Sequence, residues 1–145
     1  MVKHVLLPVD GSDPSMKALE YATENYDGER FTILHVANPT DNLFGGLEGG
    51  YGTSDLFDQA IENGEEICEE ARERLRNAGV PESAEIETAV EVGDPARQII
   101  EYATENDVDQ IVIGSHGRSG VSRILLGSVA EKVLRRAPMP VNIIR

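Results

Sequence analysis

Apolar positions along the chain fall into five short runs, separated by stretches with helical spacing. Residues 2–9 (VKHVLLPV), 31–36 (FTILHV) and 110–114 (QIVIG) are almost continuously apolar. That is the pattern of strands covered on both faces of a parallel sheet. Residues 84–92 behave differently: Ile86, Thr88, Val90 and Val92 alternate with Glu85, Glu87, Ala89 and Glu91. A period of two with acids on one side predicts an edge strand with one face toward water. The run VNII at 141–144 is short, follows Pro140, and is expected at the other edge.

Four helical patterns lie between these runs. In SDPSMKALEYATENY, Asp13 is expected as N-cap with Pro14 in the first turn, and Ala18, Leu19, Ala22 and Tyr26 share a face. GDPARQIIEYATEN repeats the device with Asp94 and Pro95, burying Ala96, Ile99, Ile100 and Ala103. Residues 54–79 place Leu56, Ala60, Ile67, Ala71 and Leu75 on one stripe and close at Gly79. The last helix begins near Ser128, with Val129, Val133 and Leu134 expected inward. Strands alternating with helices imply a parallel sheet with right-handed crossovers. Residues 38–54 carry five glycines and no periodicity, so a mobile insert or a lid is expected there within a single domain spanning 1–145.

The edge character of 84–92 and 141–144 fixes the simplest strand order as 3-2-1-4-5. Such a doubly wound α/β sheet opens its ligand crevice where the winding reverses, beyond the carboxyl ends of strands 1 and 4. Strand 1 ends at VDGS, residues 9–12, and strand 4 ends at Gly114, where GSHGRSGVSRILLGS begins. That stretch is not a P-loop, since Gly-Lys-Ser/Thr is missing, and it lacks Gly-x-Gly-x-x-Gly spacing. Gly114, Gly117 and Gly127 would let a phosphate approach backbone amides, and Ser128 could cap the last helix while offering a hydroxyl. The alternative is a plain strand-to-helix turn.

Charge adds to this picture. The net charge of −13 argues against nucleic acid or an anionic membrane as partner. Residues 1–113 hold 7 basic and 25 acidic residues, whereas residues 114–145 hold six basic residues against Glu131 alone. Arg118 and Arg123 lie inside the glycine stretch, which suggests an anion there. Only three basic residues are Lys, and an acidic, Lys-poor surface suits a halophilic source. No run reaches the roughly 20 apolar residues of a membrane span. The N-terminus makes a poor signal peptide, and the single Cys68 fits a reducing cytoplasm as a buried, inert thiol. His4 and His35 are expected to be structural. No Cys/His cluster has zinc spacing.

The spacing of Gly114, Gly117, Gly127 and Ser128, with two and nine residues between the glycines, resembles the nucleotide signature of the universal stress protein family's ATP-binding branch. VLLPVDGS, ILHV, EVGDPARQII, DQIVIGSHGRSG, LLGSVAEKVL and PVNII extend the likeness over nearly the whole chain. The resemblance implies a Rossmann-like fold of the adenine nucleotide alpha hydrolase-like type and a homodimer paired through the last strand. It implies bound ATP, with Mg²⁺ or Mn²⁺ as accompanying metal. By position, Asp10 would face the sugar or metal, and Val36 would offer backbone groups to adenine. Ile113, Gly114, His116 and Gly117 would line ribose and phosphates, while Gly127, Ser128, Val129 and Ala130 would cradle the phosphate chain. A phosphotransferase needs a phosphate-binding Lys and Mg²⁺ carboxylates, so hydrolysis is expected to be slow or absent. A cytoplasmic stress-response dimer that signals to a protein partner is the leading reading. A slow hydrolase or adenylate-forming transferase, and a dimeric scaffold without nucleotide, are the alternatives.

Overall fold

The structure is a computed structural model that describes residues 2–38, 53–115 and 126–145. Its strands are β1 (His4–Pro8), β2 (Arg30–Ala37), β3 (Glu85–Val92), β4 (Gln110–Gly114) and β5 (Val141–Ile144). Among the described residues the helices are α1 (Asp13–Asn25), α2 (Thr53–Asn77), α3 (Pro95–Glu105) and α4 (Ser128–Arg136). The strands form one five-stranded sheet in the order β3-β2-β1-β4-β5, all pairs parallel. This is the order expected from the two edge runs.

Period-two alternation sends successive residues of the central strands to opposite layers. Val5 and Leu7 of β1, Phe31 and Ile33 of β2, and Val112 of β4 pack on α1 and α2 through Leu19, Ala22, Ala71 and Leu75. Leu6, Leu34, Ile111 and Ile113 pack on α3 and α4 through Ala96, Ile99, Ala103 and Val133. Leu19 and Phe31 are fully buried, each stabilising the fold by roughly 1.5–3 kcal/mol. Cys68 lies in the first layer, 1% exposed, as expected. Tyr26 and Asn142 join α1 to β5 by a hydrogen bond between the amide and the phenol oxygen.

Some local expectations shift. The N-cap of α1 is Ser12, not Asp13; its hydroxyl accepts from the Ser15 amide at 3.4 Å. Asp94 does cap α3, accepting from Arg97 N at 3.1 Å. β3 is an edge strand, yet only Glu85 is exposed and the rest is half-buried. α2 and α3 cover both of its faces, and Glu87 pairs with Arg30 at 2.7 Å. Leu134 is 46% exposed rather than inward. At 100° per residue it points about 140° away from Val129, while Val133 lies only about 40° from it.

His4 and His35 are both hydrogen-bonded. His4 is buried, with Nε2 2.7 Å from Thr32 Oγ1 and Nδ1 3.1 Å from the Asn106 carbonyl. Burial holds its imidazole below the usual histidine range.

Candidate functional site

At the carboxyl end of the sheet, where β1 and β4 lead away in opposite directions, a cleft of about 700 Å³ opens. Eight of the residues expected at the site line it: Asp10, Val36, Ile113, Gly114, Gly127, Ser128, Val129 and Ala130. His116 and Gly117 lie outside the described residues, as do Arg118, Arg123 and positions 39–52 of the glycine-rich insert.

The β1 wall is a tight turn. Gly11 has φ +85°, a conformation that favours glycine. Asp10 Oδ1 accepts from the Ser12 amide at 2.9 Å, and Ser15 Oγ donates to the Ser12 carbonyl at 2.9 Å. The Asp10 carboxylate therefore stabilises the turn that starts α1 while also lining the cleft.

The β4 wall is made differently from expectation. Gly114 needs no unusual backbone angle; it is glycine because the backbone of α1 packs directly on it. The chain leaves the sheet at Ser115, whose N–H donates to the Ile144 carbonyl at 2.7 Å. It returns at Gly127, whose N–H donates to the Ser115 carbonyl at 2.6 Å. Gly127, not Ser128, is the N-cap of α4; its φ of −66° and ψ of 155° are ordinary extended values, and among the described residues no side chain caps the helix. Ser128 is the first helical residue and is exposed. The opening amides of α4 thus lack intrahelical acceptors, among the described residues no side chain accepts from them, and their partial positive charge lies at the cleft.

The third wall is the end of β2. N–H and C=O groups of a strand residue point to the same neighbour, alternating along the strand. Leu34 accepts from Val9 N at 2.8 Å on the β1 side, and Ala37 accepts from Gly93 N at 3.0 Å on the β3 side. Val36 therefore directs its N–H and C=O toward β1. The β1–β2 register stops at Pro8 and Leu34, and among the described residues no backbone bond joins Val36 to Val9. Among the described residues no hydrogen bond takes up this donor or this acceptor, and Val36 lines the cleft.

Sequence reasoning missed Lys132. It lies one turn after Ser128 on α4, is exposed, lines the cleft, and joins none of the ion pairs among the described residues. Its signal was the i, i+4 spacing from Ser128. Asn63 and Ile67 of α2, and Asp94 and Ile99 near the start of α3, complete the enclosure. Their approach depends on how α2 and α3 cross the sheet, which single-strand patterns do not encode. Among the described residues no group of three or more His, Cys, Asp or Glu could hold a metal, and no helix is long and apolar enough to cross a membrane.

Fold and cleft together define a doubly wound α/β protein with its binding crevice at the reversal of winding. Comparison with known proteins agrees. The universal stress protein YxiE of Bacillus subtilis is 35% identical over 152 residues, covering 100% of both chains. The solved structure of MJ0577 from Methanocaldococcus jannaschii superimposes with a TM-score of 0.81 at 26% identity, covering 99% of this chain and 96% of that one. The universal stress protein from Archaeoglobus fulgidus in complex with dAMP matches with a TM-score of 0.69 at 26% identity, covering 100% and 98%. The universal stress protein family's model matches residues 1–145, and the chain belongs to that family.

Proposed function

We propose that this protein binds ATP in the cleft and acts as a nucleotide-dependent stress-response dimer with slow or no hydrolysis. The observation that carries the reading is the pairing, across one cleft, of Val36's backbone groups with the opening amides of α4, both without a hydrogen-bond partner among the described residues. Adenine offers an acceptor at N1 beside a donor at N6, which matches an N–H and a C=O from one residue; guanine offers the reverse. The phosphate chain then lies on the amides of Ser128, Val129 and Ala130, with Ser128's hydroxyl and Lys132's ammonium in reach. The dAMP held by the Archaeoglobus fulgidus relative supports an adenine nucleotide as the ligand.

Among the described residues no cluster would cage a Mg²⁺ or Mn²⁺ ion, so it would be held chiefly by the phosphates. Asp10 is the one carboxylate at the β1 turn that lines the cleft, and its Oδ1 already accepts from Ser12 N. When bound, the ion would neutralise phosphate charge. Dimerisation is proposed through β5, which among the described residues pairs with β4 on one edge and has no strand on the other, and is half-buried throughout. Site occupancy would alter the surface offered to a protein partner in the cytoplasm.

Mass spectrometry of gently purified protein tests the reading, since co-purified adenine nucleotide is expected. Calorimetry should show ATP bound well ahead of GTP. A protein that binds neither nucleotide, or both alike, refutes it. Steady multiple turnover of Mg·ATP would instead favour the hydrolase.

A further inference from the structure

The seam between β1 and β2 contains a side chain where a backbone rung belongs. A parallel ladder in which Val9 N–H bonds Leu34 C=O continues with Val36 N–H bonding Val9 C=O. Here Val9 C=O receives the Nδ1–H of His35 at 2.9 Å instead. The hydrogen bond sets the ring's tautomer, because a carbonyl only accepts. Room for the ring comes from Gly64 of α2: a Cβ there would stand 2.7 Å from His35 Cδ2 and 3.0 Å from Val90 Cγ1.

We propose that His35 is a positioning residue for the base: by occupying Val9 C=O it stops the β1–β2 ladder one rung early and keeps Val36's donor and acceptor available to the ligand. The inference rests on the adenine-nucleotide reading for its functional consequence, but its structural half stands alone. Without the imidazole, Val9 C=O and Val36 N–H satisfy each other, since unpaired buried backbone groups are costly. The zipped seam then presents a closed strand edge to the base. Gly64 belongs to the same device, because a methyl at that position drives the ring off Val9.

Two measurements on ¹⁵N-labelled full-length protein separate the halves. In nucleotide-free wild type, the Val36 amide should exchange with solvent at least about a hundredfold faster than the Leu34 amide. In His35→Leu and Gly64→Ala, Val36 exchange should slow by about tenfold or more. His35→Asn, whose side-chain amide can still donate to Val9, should behave as wild type. ATP affinity should fall about tenfold in His35→Leu and recover in His35→Asn. Inorganic tripolyphosphate, which has no base, should bind both variants as it binds wild type.

A Val36 amide already protected in the wild type overturns the proposal, as does one unaltered in both His35→Leu and Gly64→Ala. Equal loss of ATP and tripolyphosphate binding in His35→Leu overturns it too, by showing general damage to the site. If wild type binds no ATP, the adenine reading fails, yet the exchange contrast still decides whether His35 holds the seam open. Should His35→Leu not fold, Gly64→Ala provides the same exchange test with the imidazole in place.

Discussion

A Cβ on Gly114 would stand 2.7 Å from the carbonyl carbon of Pro14 and 2.8 Å from the amide nitrogen of Ser15. Neither atom can swing aside, because both belong to the first turn of α1. Gly114→Ala should therefore lower the unfolding free energy by roughly 2 kcal/mol or more through overpacking. Urea denaturation checks this, and an unchanged midpoint would contradict the close approach. Gly114→Val is for the same reason a stability variant, unsuited to testing ligand contacts.

Ser128 and Lys132 offer the cleaner test of the phosphate side. Both are exposed on α4, so Ser128→Ala and Lys132→Ala should leave the melting temperature within about 2 °C of wild type. Each should weaken ATP binding by about three- to tenfold, with the Lys132 effect shrinking as salt is raised. Adenosine affinity should not change. Calorimetry with ATP and adenosine in parallel reads the difference, and equal losses for both ligands would remove the phosphate assignment.

His4 should impose a pH dependence on stability. The unperturbed imidazole titrates near 6.5, and burial lowers that value in the fold. The unfolded chain then binds the proton more readily, so the stabilisation is complete above about pH 6.5 and is lost as pH falls toward the folded value. Asp109, held below the usual carboxylate range chiefly by the amides of His4 and Lys3, acts in the same direction only at lower pH. Urea midpoints at pH 7.5 and 5.5 should fall less steeply in His4→Gln than in wild type. Parallel slopes would show that His4 does not carry the effect.

Cys68 should be inert in the native state. Burial, the largest cause, pushes its thiol up to about 11, leaving about one thousandth as thiolate at pH 8. Iodoacetamide labelling at pH 8 should be negligible over hours and complete within minutes after unfolding in urea. Rapid native labelling would mean that α2 lifts from the sheet far more often than its packing implies.

Much of the architecture was legible because it rests on local period. The near-continuous apolar runs of β1, β2 and β4 and the acid-studded β3 were enough to order the sheet, and order places the crevice. Asp94 was readable as a cap because Pro95 follows it directly. The same Asp-Pro device misled by one residue at α1, where Ser12 could cap equally well and the extra Gly11 turn decided for it. Gly114 was legible as necessary but not for its reason: the contact with Pro14 joins residues a hundred positions apart. Lys132 and Gly64 stayed hidden because each matters only through how its helix crosses the sheet. His35 was expected to be structural, and it is hydrogen-bonded, but nothing in the letters ILHV says that its partner is a carbonyl of the neighbouring strand.

The intimacy of Gly114 with the start of α1 also determines which parts of the molecule can yield. Backbone is wedged on backbone there, so the turn after β1 and the tip of β4 form one continuous wall. α2 is seated almost as closely, through Gly64 on His35. α4 starts without a side-chain cap among the described residues, tethered by the hydrogen bond from Gly127 to Ser115. A side chain at Gly114 would therefore disturb two walls of the crevice at once, whereas exchange of the exposed Ser128 meets no such obstacle.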